Sequence, residues 1–244
     1  MTLAEQLRDA LTESAAELSA PELLPTRLAR AAARVLPVDG AGISLFFAHD
    51  RRLPLGASDP VAGEVERLQF TIGEGPCLAA HAEGRPVVAD KGSIATRWPA
   101  FYDALVARTP VRGSISLPLG GGLGGIGALD LYIVPPRGVG DLGLQDALAV
   151  ADEVAATLEA QSRATQRSGD APAWVDAPAT ERRAIVWQAM GYLNAGLRMD
   201  SEDALAVLRA YAYAEGGDLD DVALEVVEGR LPLERLALES DTPQ

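Results

Sequence analysis

Apolar positions along the chain fall into stretches of helical spacing separated by shorter strand-like runs. Leu3, Leu7, Leu11 and Leu18 mark one face of an N-terminal helix. A second helix is predicted from Pro21 to Leu36, with Ser19 as its cap, Glu22 three residues on and Pro21 in its first turn. The apolar run from Ala41 to His49 reads as a strand, and Arg51-Arg52 begins a turn. Pro76 to Glu83 has proline at its first position and Gly84 just past its end, the punctuation of a short helix. A strand follows over 86–89, closed by Asp90. Trp98 to Arg108 predicts a helix with Phe101 and Leu105 on its buried face. Gly113 to Leu119 and Ile126 to Val134 read as two strands around a glycine turn. Leu144, Leu148, Ala151, Ala155 and Leu158 then step by 4, 3, 4, 3, a heptad seam on a helix extending towards Gln166. That seam serves packing on the sheet, self-association, or both.

Periodicity stops between Gln166 and Ala179, where Ser, Gly, Asp, Pro172 and Pro178 accumulate. Three further helices are predicted beyond it. Thr180 is a candidate cap for the first, which carries Ile185, Ala189 and Leu193. Asp200 caps the second, with Ala204, Leu208 and Tyr211 on its face. Asp218 caps the third, with Leu219, Val222, Ala223 and Val226 on its face and Gly229 as its stop. Strands and helices mixed without strict alternation, followed by a purely helical part, predict an α+β chain. Its expected order is an antiparallel sheet flanked by helices over 1–162, a helical linker over 163–178, an all-α three-helix domain over 179–236 and a tail over 237–244. Three short helices form a marginal domain that gains from dimerisation.

Composition narrows the function. The 244 residues carry a net charge of -14, so a polyanion is repelled on average and nucleic acid must be met by a local patch. One cysteine, Cys77, excludes an intrachain disulfide and fits a reducing compartment. Acidic residues recur through the first 24 positions, which lack the apolar core of a signal peptide, and a cytoplasmic location is expected. The apolar stretch 115–134 contains Gly121 and Gly125 in small-xxx-small spacing, but its glycine run and Pro118 fit two strands better than a membrane helix.

The chemistry-bearing motifs are few. Gly122 to Gly127 satisfies G-x-G-x-x-G, yet the alternating run Ala128 to Val134 follows where a dinucleotide site needs a helix. A hairpin turn is the better reading. Cys77 and His81 share a helix face, but two ligands do not make a metal site. Cys77 is a redox candidate because a helix N-terminus lowers a thiol pKa; a buried structural cysteine is the commoner fate. Asp90 is read as a turn or helix cap. The residues call for no cofactor, no metal and no catalytic constellation, so a non-enzyme is expected.

Two families are resembled. Leu68-Gln69-Phe70, Gly73-Glu74-Gly75-Pro76-Cys77-Leu78, Gly84-Arg85-Pro86-Val87, Arg97-Trp98-Pro99, Val111-Arg112-Gly113-Ser114 and Gly127-Ala128-Leu129-Asp130-Leu131-Tyr132 resemble the GAF domains of actinobacterial regulators. Arg183, Gln188-Ala189, Gly191, Leu193, Ala204, Leu208-Arg209, Ala212, Leu219 and Asp221-Val222-Ala223 resemble the ANTAR domain of transcription antiterminators. The matches span about residues 20–230. The resemblance implies a five- or six-stranded antiparallel sheet, a pocket for a small ligand of unknown identity, and a three-helix output. It also implies homodimers that present paired output domains to RNA hairpins, so that a terminator cannot form.

The output half departs from that family. Met190 stands where lysine is usual, and 210–218 lacks the usual Arg, His and Asn residues. From Glu181 to Arg235 there are six basic and eleven acidic residues. On the RNA reading, Arg182, Arg183 and Arg209 contact phosphate, while Gln188, Tyr211 and Tyr213 meet the bases by hydrogen bonding and stacking. The alternative is an interaction module that keeps the helical fold but binds protein or itself.

Overall fold

The computed structural model describes residues 1–48, 51–167 and 169–237, with only the backbone of Ala48, Arg51 and Gln166. His49 and positions 238–244 of the expected tail lie outside the described residues. The chain divides into two compact units, Met1–Thr180 and Glu181–Gln244.

In the first unit, α1 (Leu3–Ser14) opens on a capping box between Thr2 and Glu5. It ends before Leu18, so that leucine is not part of its face. The second predicted helix is split: a 3-10 turn at Pro21–Leu23 precedes α2 (Leu24–Val35), and Ser19 does not cap it. Strands β1 (Gly40–Ala48) and β2 (Arg51–Ala57) follow, so Arg51-Arg52 opens a strand where a turn was expected. Next come α3 (Pro60–Ile72), α4 (Pro76–Glu83), β3 (Val87–Ala89), α5 (Lys91–Arg97) and α6 (Pro99–Arg108). Asp90 caps α5 by accepting from the Ser93 N–H, as its cap reading implies, and those hydrogen bonds from Ser93 hold its carboxyl below the usual range. Strands β4 (Gly113–Pro118) and β5 (Gly127–Ile133) flank the glycine turn, and α7 (Leu144–Gln166) closes the unit.

The five strands are antiparallel in the order β2-β1-β5-β4-β3. The two faces of this sheet differ in chemistry. One carries Ile43, Leu45, Ile115, Leu117, Leu129 and Leu131, all buried. Helix α2 covers that face: Gly56 pairs with Ile43, and a Cβ on Gly56 would strike the backbone of Thr26. Helices α1 and α7 pack beside α2. The other face carries Ser44, Ser114, Ser116, Asp130 and Tyr132, also buried. Helix α3 lies over this one, because a Cβ on Gly40 would meet Ala62 and one on Gly42 would meet Glu66. A sheet face of hydroxyls and a carboxylate is thus sealed beneath a helix, where apolar residues would stabilise more.

The heptad seam of α7 is largely taken up within its own unit. Ala151, Ala155 and Leu158 are buried together with Ala147, Val150 and Val154, whereas Leu144 is exposed. Within the expected linker, α7 continues to Gln166 and a second 3-10 turn forms at Ala173–Asp176 with Trp174 buried. That turn packs against the one at Pro21–Leu23.

The three expected helices after the linker are present: α8 (Pro178–Leu197), α9 (Ser201–Ala214) and α10 (Leu219–Val227). Thr180 falls inside the first turn of α8 rather than before it. Asp200 caps α9 through the Asp203 N–H, while Asp218 holds the cap position of α10 without a side-chain cap bond. Gly229, at φ 72°, ends α10 in the left-handed conformation that glycine adopts at least cost. No helix among the described residues is long and apolar enough to cross a membrane.

Candidate functional site

The polar sheet face, α3 and α4 enclose a connected cluster of buried ionisable groups. Arg52 on β2, Glu66 on α3 and Asp130 on β5 are 1%, 3% and 0% exposed. The Arg52 guanidinium donates through Nη2 to Glu66 Oε2 and through Nη1 to the Glu66 carbonyl at 2.8 Å. The same Nη2 lies 3.8 Å from Asp130 Oδ2 and 3.5 Å from Cys77 Sγ. Ser44 donates to Glu66 at 2.9 Å, and the Tyr132 hydroxyl donates to its other oxygen. Ser116 donates to Asp130 Oδ1 at 2.5 Å. Gln69 joins the two ends: its amide nitrogen donates to Tyr132 at 3.3 Å, and its oxygen accepts the Cys77 N–H at 2.8 Å.

Backbone choice makes room for this. Gly42 on β1 pairs with Asp130, and a Cβ there would sit 2.1 Å from Glu66 Oε1. Only glycine lets the Glu66 carboxylate lie flat against the strand. Asp130 itself stands between Gly42 on one neighbouring strand and Ser116 on the other.

Two carboxylates share one guanidinium, and the electrostatics follow from that. Burial, reinforced by the Glu66 charge, pushes Asp130 up to about 8 from its ordinary 3.8, towards its neutral form. Burial alone works against the Arg52 charge, but Glu66, Cys77 and Asp130 hold it above the usual guanidinium range. Burial likewise pushes the Tyr132 hydroxyl and the Cys77 thiol up, with Glu66 and Asp130 adding to each. The redox expectation for Cys77 is therefore corrected. The residue does lie near a helix N-terminus, but it is fully buried and its thiol is held protonated. His81, one turn along α4, stacks on Phe46 with ring centroids 4.0 Å apart. What remains is a buried carboxyl beside a buried, paired cation. Asp130 Oδ2 and Arg52 Nε make no hydrogen bond among the described residues.

A separate surface cleft of about 370 Å³ is lined by Lys91, Arg112 and Arg137 beside Ile133, Pro135 and Val139. Arg137 is paired with Asp39, and Arg112 donates to the carbonyls of Val106, Thr109 and Val111. Two of its cations are already engaged.

In the helical unit the six predicted contact residues do not form one face. Arg182 and Gln188 are exposed on α8 but lie about 120° apart around the helix. Arg209 is half-buried and shares a face of α9 with exposed Tyr213, four residues on. Tyr211 points elsewhere and lies 6.0 Å from the Arg235 guanidinium. Arg183 is buried against Asp220, which corrects its assignment as a phosphate contact. Tyr192, one turn beyond Gln188 and 52% exposed, extends that face and was legible from its spacing alone.

No protein-family model and no curated protein sequence matches the chain. Solved structures do resemble part of the chain. A domain of a two-component sensor histidine kinase protein from Sinorhizobium meliloti covers 61% of this chain and 97% of its own, at 19% identity and a TM-score of 0.47. The GAF domain of a phosphoenolpyruvate-protein phosphotransferase from Acinetobacter covers 68% and 97%, at 14% identity and 0.46. Free methionine-R-sulfoxide reductase from Neisseria meningitidis covers 66% and 93%, at 17% identity and 0.43. Likeness at this level assigns no activity.

Proposed function

We propose that the chain is a signal-responsive regulator without enzymatic activity, in which a GAF-like unit senses and an ANTAR-like helical unit acts on structured RNA. The observation that carries the sensing half is the sealed Arg52–Glu66–Asp130 cluster. Burying two carboxylates around one guanidinium sacrifices stability that apolar residues of the same size would supply. Such a cluster is the expected mark of a site retained for function.

The RNA half is supported by the resemblance of residues 183–223 to the ANTAR domain and by exposed side chains suited to stacking. Gln188 with Tyr192 on α8, and Arg209 with Tyr213 on α9, offer aromatic and hydrogen-bonding groups to unpaired bases. Homodimerisation would bring two such units to paired hairpins and multiply weak contacts. The regulator would then act in the cytoplasm by antitermination, with a small ligand or a proton as its input.

A second reading is favoured by one observation, the burial of Arg183 in a pair with Asp220, which removes one candidate phosphate contact. On it the helical unit binds protein, or a second copy of itself. Mobility shift of hairpin RNA at low salt separates the two. A specific shift weakened by Arg209→Ala and by Tyr213→Ala supports RNA binding; no shift with the dimeric full chain supports the interaction module.

A further inference from the structure

The glycine-rich turn between β4 and β5 is not a free loop. It lies against α7, and Gly122 donates its backbone N–H to Glu159 Oε1. Arg163 pairs with the other oxygen at 3.0 Å, and the Glu159 side chain is only 19% exposed. Gly121 adopts φ 60°, and a Cβ there would stand 2.2 Å from Glu159 Oε1. One turn-pair earlier on α7, Asp152 approaches Gly120 to the point where a Cβ would be 3.2 Å from its carboxylate. Asp152 and Glu159 are seven residues apart and so share one stripe of the helix. The run of glycines that fits no dinucleotide is shaped to seat the Glu159 carboxylate of α7.

The same hairpin runs unbroken to the buried cluster. Ser116 pairs with Asp130, Leu117 with Leu129 and Pro118 with Ala128, without a register shift. The Leu119 N–H continues to the Gly127 carbonyl at 2.8 Å. A change in the Ser116–Asp130 contact has a stiff two-stranded path to the turn, and the turn has one charge-assisted bond to α7.

We propose that the Gly122–Glu159 contact is the link through which the buried cluster reports its state to the last two turns of α7, and so to the chain that leads into α8. The proposal rests on reading the cluster as the sensing site.

Hydrogen exchange by mass spectrometry on the full chain tests it, comparing wild type, Ser116→Ala, Glu159→Gln and the double variant. Ser116→Ala removes the hydroxyl that donates to Asp130 and is expected to raise exchange over residues 156–165 by about threefold. In the Glu159→Gln background that increase should vanish. A Ser116→Ala effect of equal size in both backgrounds overturns the link, as does loosening confined to 113–118 and 127–133; the sensing reading survives either result. No change at those strands would remove the sensing reading and the link together. If Ser116→Ala fails to fold, Ser116→Cys weakens the same contact and carries the same expectations.

Discussion

Arg183 and Asp220 face one another inside the helical unit, with Nε 3.2 Å from Oδ1 and Nη2 3.3 Å from Oδ2. The pair joins the start of α8 to the start of α10, and both side chains are at least nine-tenths buried. Arg183 therefore holds this unit together in a way that its neighbour Arg182, exposed on the same turn, does not.

Breaking the pair from one side leaves a buried carboxylate uncompensated. Arg183→Ala is expected to cost about 3–5 kcal/mol in the unfolding of the helical unit. Replacing both partners by leucine should recover most of that loss. Urea denaturation followed by circular dichroism reads the difference. Arg182→Ala, by contrast, should leave stability unchanged within about 0.5 kcal/mol.

Asp130 gives the first unit a pH signature. Its folded pKa is raised, so the folded state binds a proton that the unfolded chain releases. The stability it contributes is fully present below 3.8 and is lost as pH rises through about 8. The slope reaches about 1.4 kcal/mol per pH unit inside that window. Asp130→Asn removes this component, so the gap between wild type and variant in denaturant midpoint should widen as pH rises from 5 to 8, to the variant's advantage.

Cys77 should behave as a core residue. Burial keeps its thiol protonated, and solvent does not reach it. Native protein is expected to react with a thiol reagent at neutral pH only as fast as the unit opens, and at full rate in denaturant. Rapid native reaction would restore the redox assignment.

Leu158 separates the two uses of the α7 seam. It is buried against its own unit, so Leu158→Ser should destabilise the fold by about 3 kcal/mol. A stable monomer of Leu158→Ser, seen by light scattering, would instead assign the seam to self-association.

Much of the architecture was legible where the punctuation is strong. Pro76 and Gly84 frame α4, Phe101 and Leu105 mark the buried face of α6, and the glycine turn between β4 and β5 stands where the strands predict it. The misses share one physical cause. Arg52 reads as a turn residue because arginine is rarely buried, yet it sits in a strand; Pro54 in the same strand is tolerated because β2 lies at the sheet edge. Helix α3 shows no clear apolar stripe because Glu66, Gln69 and Thr71 occupy its buried side. The candidate site was hidden for the reason that makes it a candidate: polar residues where hydrophobic periodicity expects apolar ones. In the helical unit the apolar faces were readable, but sequence alone could not tell the buried Arg183 from the exposed Arg182.

The most direct test of the RNA reading is the salt dependence of hairpin RNA affinity, measured by fluorescence anisotropy on the full chain. Each neutralised phosphate contributes about -0.7 to -0.9 to the slope of log K against log salt. With exposed Arg182 and half-buried Arg209 as the cations of the proposed contact, the account predicts measurable binding with a shallow slope of about -2 per helical unit. No binding at the lowest salt, or a slope steeper than about -5, would contradict it.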